Sequence, residues 1–203
     1  AELVVVDYET LPVSVNPVNS MQDDSPLIWS NAPKNIAYRF KKGEKELTLA
    51  TFDEAAHIVE LDIDNNRVMA LPIEPRAGIG EYDPENDIMR LICTAQGVHA
   101  IREQLAQSVF SIDEKKIQIS APDVGGGFGL KNFLFPEWVL LLWASKKQRR
   151  AVKWVADRAE DHSASLHGRD IRTVARLALD SDGRFLALQA NLTANMGAYL
   201  SAG

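Results

Sequence analysis

A glycine-rich segment is the part of this sequence best suited to binding a ligand. Residues 123–131 read DVGGGFGLK. Because glycine has no Cβ, three consecutive glycines let the backbone adopt positive φ angles and bring its amides close to a ligand. Such a loop between a strand and a helix is suited to binding an anion. The same glycines are also typical of a tight turn where a helix packs closely against a strand, and the residues alone leave both interpretations open.

Two well-known phosphate-binding motifs do not match this loop. A Walker A loop ends in Gly-Lys followed by Ser or Thr, whereas Leu130 separates Gly129 from Lys131 here. The dinucleotide-binding fingerprint requires a third Gly or Ala at the position of Asn132. Binding of a nucleotide phosphate is therefore only a third alternative for this segment.

Other residues that often carry catalysis form no known motif. His162 and His167 lack the His-Glu-x-x-His spacing of a zinc-binding helix, and no Gly-x-Ser-x-Gly nucleophile elbow is present. Cys93 is the only cysteine, so it cannot form an internal disulfide or supply the thiolates of an iron–sulfur cluster. The tripeptide at residues 74–76, Glu-Pro-Arg, suits either an active-site position or a structural turn. We expect no metal ligand from this chain.

Composition excludes several classes of function. The 203 residues carry a net charge of -6, which argues against a nucleic-acid-binding protein because phosphate contacts need a basic surface. The longest apolar run, Trp138 to Ala144, is far shorter than the roughly 20 residues that cross a bilayer. With no leader-like segment, we expect a cytoplasmic location. The chain starts and stops within structured patterns, so we also expect a piece of a larger protein.

The elements around the loop predict an α+β fold with mixed, mostly antiparallel sheets and packed helices. A strand at 116–120 leads into the loop, and a helix over 135–147 follows it, with Pro136 in its first turn. Alternating patterns predict two hairpins, one over 79–93 and one over 171–193. Strands and helices do not alternate strictly, which favours α+β over a parallel α/β sheet.

The chain divides at residue 35 in this interpretation. Residues 1–35 form an irregular lead-in segment with one strand at Leu3–Val6, and residues 36–203 form the larger part of a domain. Ile36 to Phe40 is predicted to be a further strand. Thr51-Phe52-Asp53-Glu54 matches a capping box and is predicted to begin a short helix.

A set of short segments, in one order along nearly the whole chain, carries a resemblance to a known family. They are EPR at 74–76, CTAQGVHAIR at 93–102, the loop at 123–131, PE at 136–137, VKW at 152–154, DRAE at 157–160, HGR at 167–169 and NMGAY at 195–199. Together they resemble the molybdenum hydroxylases, that is, the molybdopterin-binding large subunits of xanthine dehydrogenase, aldehyde oxidase and aerobic carbon monoxide dehydrogenase. The Gly-rich loop with its upstream Gln is the most specific of these segments.

The resemblance implies a fold like the first molybdopterin-binding domain of that family and assigns roles to five residues. Gln96 is expected to hydrogen-bond an oxo ligand of the molybdenum centre. Phe128 and Gly129 are expected to lie against that centre, with the amides of Gly126 and Gly127 near its oxygen ligands. Since the pterin dithiolene holds the metal, the family needs no metal ligand from protein side chains.

The resemblance also implies the reaction class and its limits. It implies hydroxylation of an aldehyde, an N-heterocycle or a similar small molecule, or oxidation of carbon monoxide. Asn132 stands where purine-oxidising members carry a substrate-binding Glu, which argues against a purine substrate. The family's catalytic base lies on segments that this chain does not contain. We therefore assign no catalytic residue here and expect the chain alone to be inactive.

Partners follow from the same resemblance. The remainder of the large subunit is expected to complete the site, and a [2Fe-2S] cluster and FAD are expected on partner chains or other domains. No nucleic-acid partner is expected. The alternative is a non-catalytic scaffold or assembly domain that keeps the fold without the cofactor.

Overall fold

The structure, a computed structural model, describes residues 3–200. Residues 1, 2 and 201–203, at the ends of the two predicted ranges, lie outside the described residues. Residues 3–200 form four α-helices, α1 Lys45–Glu54, α2 Val98–Gln104, α3 Pro136–Gln148 and α4 Arg158–Ala164. The same described residues form nine strands, β1 His57–Asn65, β2 Val68–Met69, β3 Ala77–Asp83, β4 Ile88–Cys93, β5 Ile117–Ser120, β6 Val152–Val155, β7 His167–Gly168, β8 Ile171–Leu179 and β9 Phe185–Ala194.

The first of two compact units comprises residues 3–67 and 169–200. Its sheet has the strand order β1-β8-β9, and both strand pairs are antiparallel. Helix α1 packs beside β9 and buries Phe52, whose ring lies 4.8 Å from the guanidinium carbon of Arg176. The predicted boundary at residue 35 falls inside this unit and stays a prediction.

One face of this first sheet is apolar and open. Strand pairing aligns Val59 with Leu177 and Leu188, and four residues further along β1 it aligns Ile63 with Thr173 and Leu192. Because side chains alternate across a strand, these rows lie on the same face. Its large side chains are 46% to 65% exposed. We call this surface the open apolar face; its exposed members are Val59, Leu61, Ile63, Leu188 and Leu192.

The second unit, residues 68–168, contains a four-stranded sheet in the order β5-β4-β3-β6 and a small β2-β7 pair. The β4-β5 pair is parallel and the other pairs of this sheet are antiparallel. Alternate residues of β4 (Met89, Leu91 and Cys93) are buried, together with Trp138 and Leu142 of α3. This core fixes the strands and the helix on either side of the Gly-rich loop.

Close packing of α3 on β3 depends on two glycines. A Cβ on Gly80 would lie 2.5 Å from the backbone carbonyl of Leu141, which no side chain permits. A Cβ on Gly78 would lie 2.9 Å from the Leu141 side chain. The indole of Trp138 donates a hydrogen bond to the carbonyl of Ala77 at 3.2 Å, so the helix is also held in register.

The fold class is confirmed, as are the strongest local patterns. Both predicted hairpins are formed, by β3 with β4 and by β8 with β9. The helix predicted over 135–147 is α3, which begins at Pro136 and carries Lys146 and Lys147 in its last turn. Helix α2 is followed directly by a π-helical turn, Leu105–Phe110.

Three local predictions are wrong. The runs Leu3–Val6 and Ile36–Phe40 form no strand, and the side chains of Leu3 to Val6 are 57% to 98% exposed. An apolar run becomes a strand only when another strand pairs with it, and no described strand pairs with either run. Thr51 does not begin a helix. It lies inside α1, and its hydroxyl donates to the carbonyl of Leu47 at 2.8 Å.

Two negative findings hold for residues 3–200. No helix there is long and apolar enough to cross a membrane. In the same described part of the chain, no three side chains of the His, Cys, Asp and Glu types come together as a metal site.

The thiol of Cys93 offers a test of the second unit's core. Cys93 is 2% exposed, and burial raises the pKa of its thiol to about 12. Because the thiolate is the reactive form, iodoacetamide at pH 8 should leave Cys93 unmodified in the folded protein and label it fully in urea. Peptide mass spectrometry measures both. Rapid labelling in native buffer would contradict this core.

Candidate functional site

The Gly-rich loop connects β5 to α3 in the second unit. After the glycines, a short 3-10 turn spans Leu130–Asn132, and α3 begins only at Pro136. The loop amides therefore do not cap α3, and the loop is held by contacts from other segments. The two segments that contact it are residues 72–74, before β3, and Gln96, after β4.

The carboxamide of Gln96 lies directly on the loop. Its Oε1 accepts a hydrogen bond from the amide of Gly129 at 3.0 Å. A Cβ on Gly127 would lie 2.3 Å from the Gln96 Cδ, so this approach requires glycine at position 127. The structure thus brings together Gln96 and the loop, which the family resemblance assigns to one site.

A second side chain approaches the loop at its first glycine. A Cβ on Gly125 would lie 2.6 Å from the Cβ of Glu74, and the Gly125 amide donates to Glu74 Oε2 at 2.8 Å. Burial alone raises the pKa of the Glu74 carboxyl, but hydrogen bonds from Lys131 and Gly125 outweigh it, and the pKa lies below its ordinary value. Glu74 is therefore a carboxylate at neutral pH.

The remaining loop residues adopt left-handed backbone conformations. Gly126 has φ 95° and Gly129 has φ 84°, values that favour glycine. Phe128 has φ 51° although it is not glycine, and its side chain is 76% exposed. An exposed aromatic ring on strained backbone is unusual, and such strain often marks a binding site.

The loop leaves a set of hydrogen-bond donors unused. Within residues 3–200, the amides of Gly127 and Phe128 donate to no protein acceptor, and neither does Nε2 of Gln96. Gly127 is itself buried. Gln96 and Phe128 are exposed, so the argument from burial applies to Gly127: a buried amide without an acceptor is rare in proteins, and it favours a ligand that supplies an oxygen acceptor. All three donors are uncharged.

Several charged residues behind the loop were not predicted as part of the site. Lys131 is completely buried, and its ammonium contacts Glu74. Arg76 is also completely buried; it contacts Asp161 at 3.0 Å and Glu137 at 3.1 Å, and its guanidinium carbon lies 3.9 Å from the centre of the Phe135 ring. Arg76 of the Glu-Pro-Arg segment is thus a structural residue, and the spacing of charges along the chain gave no signal of these pairs.

The contacts of the glycines predict unequal effects of alanine substitution. Gly125→Ala should lower the free energy of unfolding by about 1–3 kcal/mol, because the Glu74 Cβ cannot move away. Gly168→Ala is the matched control, since a Cβ there meets nothing within 4 Å. Urea unfolding measures both. Equal stability of the two variants would contradict the packing of Glu74 on the loop.

Comparison with known proteins identifies the family of this chain. A family model described as "Molybdopterin cofactor-binding domain" matches residues 28–203. The chain is 31% identical to the carbon monoxide dehydrogenase large chain of Hydrogenophaga pseudoflava over 98% of this chain and 26% of that protein. It is 33% identical to the 6-hydroxypseudooxynicotine dehydrogenase complex subunit gamma of Paenarthrobacter nicotinovorans, over 98% of this chain and 24% of that protein.

Among solved structures, a Cu,Mo-CO dehydrogenase in its carbon monoxide reduced state is similar, with a TM-score of 0.88 and 34% identity. The match covers 94% of this chain and 25% of that one. The chain thus spans about a quarter of the length of these two relatives. Because the family model covers most of its length, the chain belongs to the molybdopterin cofactor-binding domain family.

Proposed function

We propose that this chain holds the molybdenum–pterin cofactor of an oxidoreductase through Gln96, Gly126, Gly127, Phe128 and Gly129. The observation that carries the proposal is the Gln96 carboxamide, held on the Gly-rich loop by its bond from the Gly129 amide. With Oε1 engaged in this way, Nε2 and two loop amides remain available to a ligand. When bound, the molybdenum–pterin group supplies two-electron oxidation chemistry.

The donor set fits that group. Neutral amides stabilise ligand oxygens without adding charge next to a metal centre, and glycine amides do so at close range. The carboxylate of Glu74 neutralises the positive charge of Lys131, so Lys131 adds no unpaired charge beside these donors. No metal ligand is required from the chain, because in this interpretation the pterin holds the metal. The exposed ring of Phe128 supplies an apolar wall beside the amides.

The reaction class is proposed from the relatives. Their names describe dehydrogenases that act on carbon monoxide and on a nicotine-derived compound. We propose oxidation of a small molecule of this kind, an aldehyde, an N-heterocycle or carbon monoxide. Asn132 lies beside the site, since a Cβ on the neighbouring Gly97 would lie 3.4 Å from its Oδ1. Its uncharged amide is consistent with a substrate other than a purine.

The catalytic base is not assigned to any residue of this chain, and we propose that the chain alone is inactive. The alternative of a scaffold that keeps the fold without the cofactor is not favoured. A scaffold has no need for uncharged donors without acceptors around Gly127, nor for strained backbone at Phe128.

We further propose that the remainder of a large subunit packs against this chain. The open apolar face of the first unit supports this partner, because a single soluble domain rarely leaves a large contiguous apolar surface in water. Iron–sulfur and flavin subunits or domains are proposed as the electron acceptors, since a single cysteine, Cys93, cannot supply the thiolates of a cluster. A cytoplasmic location stays a prediction.

Substitution of Gln96 tests the proposed function. In the intact enzyme, Gln96→Ala should lower activity at least about tenfold through loss of one positioned donor. Gln118→Ala is the matched control, because Gln118 is exposed on β5 in the same unit and its side-chain oxygen accepts a hydrogen bond from Arg90. Steady-state kinetics and elemental analysis for molybdenum measure the effect. Full activity and full molybdenum content in Gln96→Ala would refute this assignment.

A second test concerns the open apolar face. The purified chain should self-associate, and Leu192→Lys should weaken this association by placing a charge on the face. Asn191→Lys is the control, since Asn191 is exposed on the opposite face of the same strand. Sedimentation velocity over a range of concentrations measures it. A chain that is monomeric at every concentration would contradict the proposed packing.

A further inference from the structure

The Gly-rich loop is tied to one preceding residue at both of its ends. At the first end, the amide of Gly125 donates to Glu74 Oε2 at 2.8 Å, and the Glu74 amide donates to the Gly125 carbonyl at 3.3 Å. At the other end, the Lys131 ammonium donates to Glu74 Oε2 at 2.9 Å and to the Glu74 carbonyl at 2.9 Å. Glu74 therefore closes the loop.

The burial of Lys131 restricts the position of the loop end. The side chain of Lys131 is 0% exposed, while that of Glu74 is 31% exposed. A fully buried ammonium must have a counter-charge and acceptors, because its desolvation is not otherwise compensated. Both contacts of the Lys131 ammonium are to Glu74. The loop end thus has one position in which this charge is satisfied.

The segment that carries Glu74 is anchored independently of the loop. Arg158 donates from Nη1 to the Pro72 carbonyl at 2.8 Å and from Nη2 to the Ile73 carbonyl at 2.6 Å. Pro72 is also buried, and a Cβ on Gly126 would lie 3.4 Å from its Cβ. Because Glu74 follows an anchored dipeptide, the ion pair fixes the loop to a rigid support.

Lys131 also connects the loop to Gln96. Its carbonyl accepts a hydrogen bond from the Gln96 amide at 2.9 Å, while its side chain holds Glu74. One residue therefore ties together the three segments that form the site. Displacement of Lys131 would move the Gln96 backbone and the loop at the same time.

We propose that Glu74 and Lys131 are positioning residues of the cofactor site. This inference rests on the proposed function, and it adds two residues that need not touch the cofactor. Their ion pair holds the amides of Gly127 and Phe128 and the Gln96 carboxamide in one arrangement. Without the pair the same donors are present but no longer fixed together, so cofactor retention falls.

The test uses the intact enzyme with Glu74→Gln, Lys131→Met, and the double variant Glu74→Leu with Lys131→Met. The double variant removes both charges, so it leaves no buried ammonium unpaired and should fold stably. It also removes the acceptor for the Gly125 amide. Asp87→Asn is the control, because Asp87 pairs with Lys116 and Lys146 in the same unit and contacts no loop residue.

Two readouts separate positioning from stability. In cofactor-free protein, hydrogen–deuterium exchange of peptides covering residues 124–130 should accelerate in all three variants, while exchange over β3 and β4 stays unchanged. The molybdenum content of purified enzyme should fall about tenfold. Such a loss is typical when residues that orient the binding groups, without touching the metal, are substituted. Asp87→Asn should change neither.

Each outcome decides the inference. Unchanged exchange over residues 124–130 overturns it, and so does a double variant with full molybdenum content, because that result assigns the pair a purely structural role. Accelerated exchange across residues 68–168 in the double variant also overturns it. Failure of the proposed function looks different: wild-type enzyme would then lack molybdenum, while the exchange result would still report on the ion pair.

Discussion

A fully buried ammonium, that of Lys131, is the group around which the Gly-rich loop is organised. Desolvation of such a charge requires a partner, and removal of one partner from a buried pair typically costs about 3–5 kcal/mol. The cost is smaller here because the carboxylate of Glu74 keeps 31% of its surface exposed. The pair nevertheless determines where the loop ends, and so where Gln96 and the loop amides lie relative to one another. This electrostatic requirement acts together with the close packing of Glu74 and Gln96 on the loop glycines.

The loop requires glycine at four positions for two different reasons. Gly125 and Gly127 are glycines because Glu74 and Gln96 pack directly against them, at distances that exclude a Cβ. Gly126 and Gly129 are glycines because their φ angles are positive. The sequence left a tight turn and a ligand cradle open; the structure shows side chains packed closely against Gly125 and Gly127, and the ligand cradle is our proposal. Close packing positions the loop, and the amides that this packing leaves without acceptors are the ones available to a ligand.

Much of the fold and part of the site could be predicted from the sequence. Alternation of apolar and polar residues identified the β3-β4 and β8-β9 hairpins, and α3 was evident from its apolar length and Pro136. The pairing of Lys131 with Glu74 could not be found, because 57 residues separate them and an isolated charge in a sequence gives no sign of its partner. The strand expected at Leu3–Val6 failed for the same reason, since a strand exists only through pairing at long range. Local patterns predicted helices and strands, whereas long-range contacts determined which of the predicted strands formed.

The central claim is that Gln96 and the Gly-rich loop together hold the molybdenum–pterin cofactor. A structure of the intact enzyme, purified with cofactor and determined by crystallography or electron cryomicroscopy, tests it most directly. We expect cofactor oxygens within about 3 Å of Gln96 Nε2 and of the amide nitrogens of Gly127 and Phe128, a normal hydrogen-bond distance. Cofactor bound elsewhere in the enzyme, with these three donors bonded only to water, would contradict it.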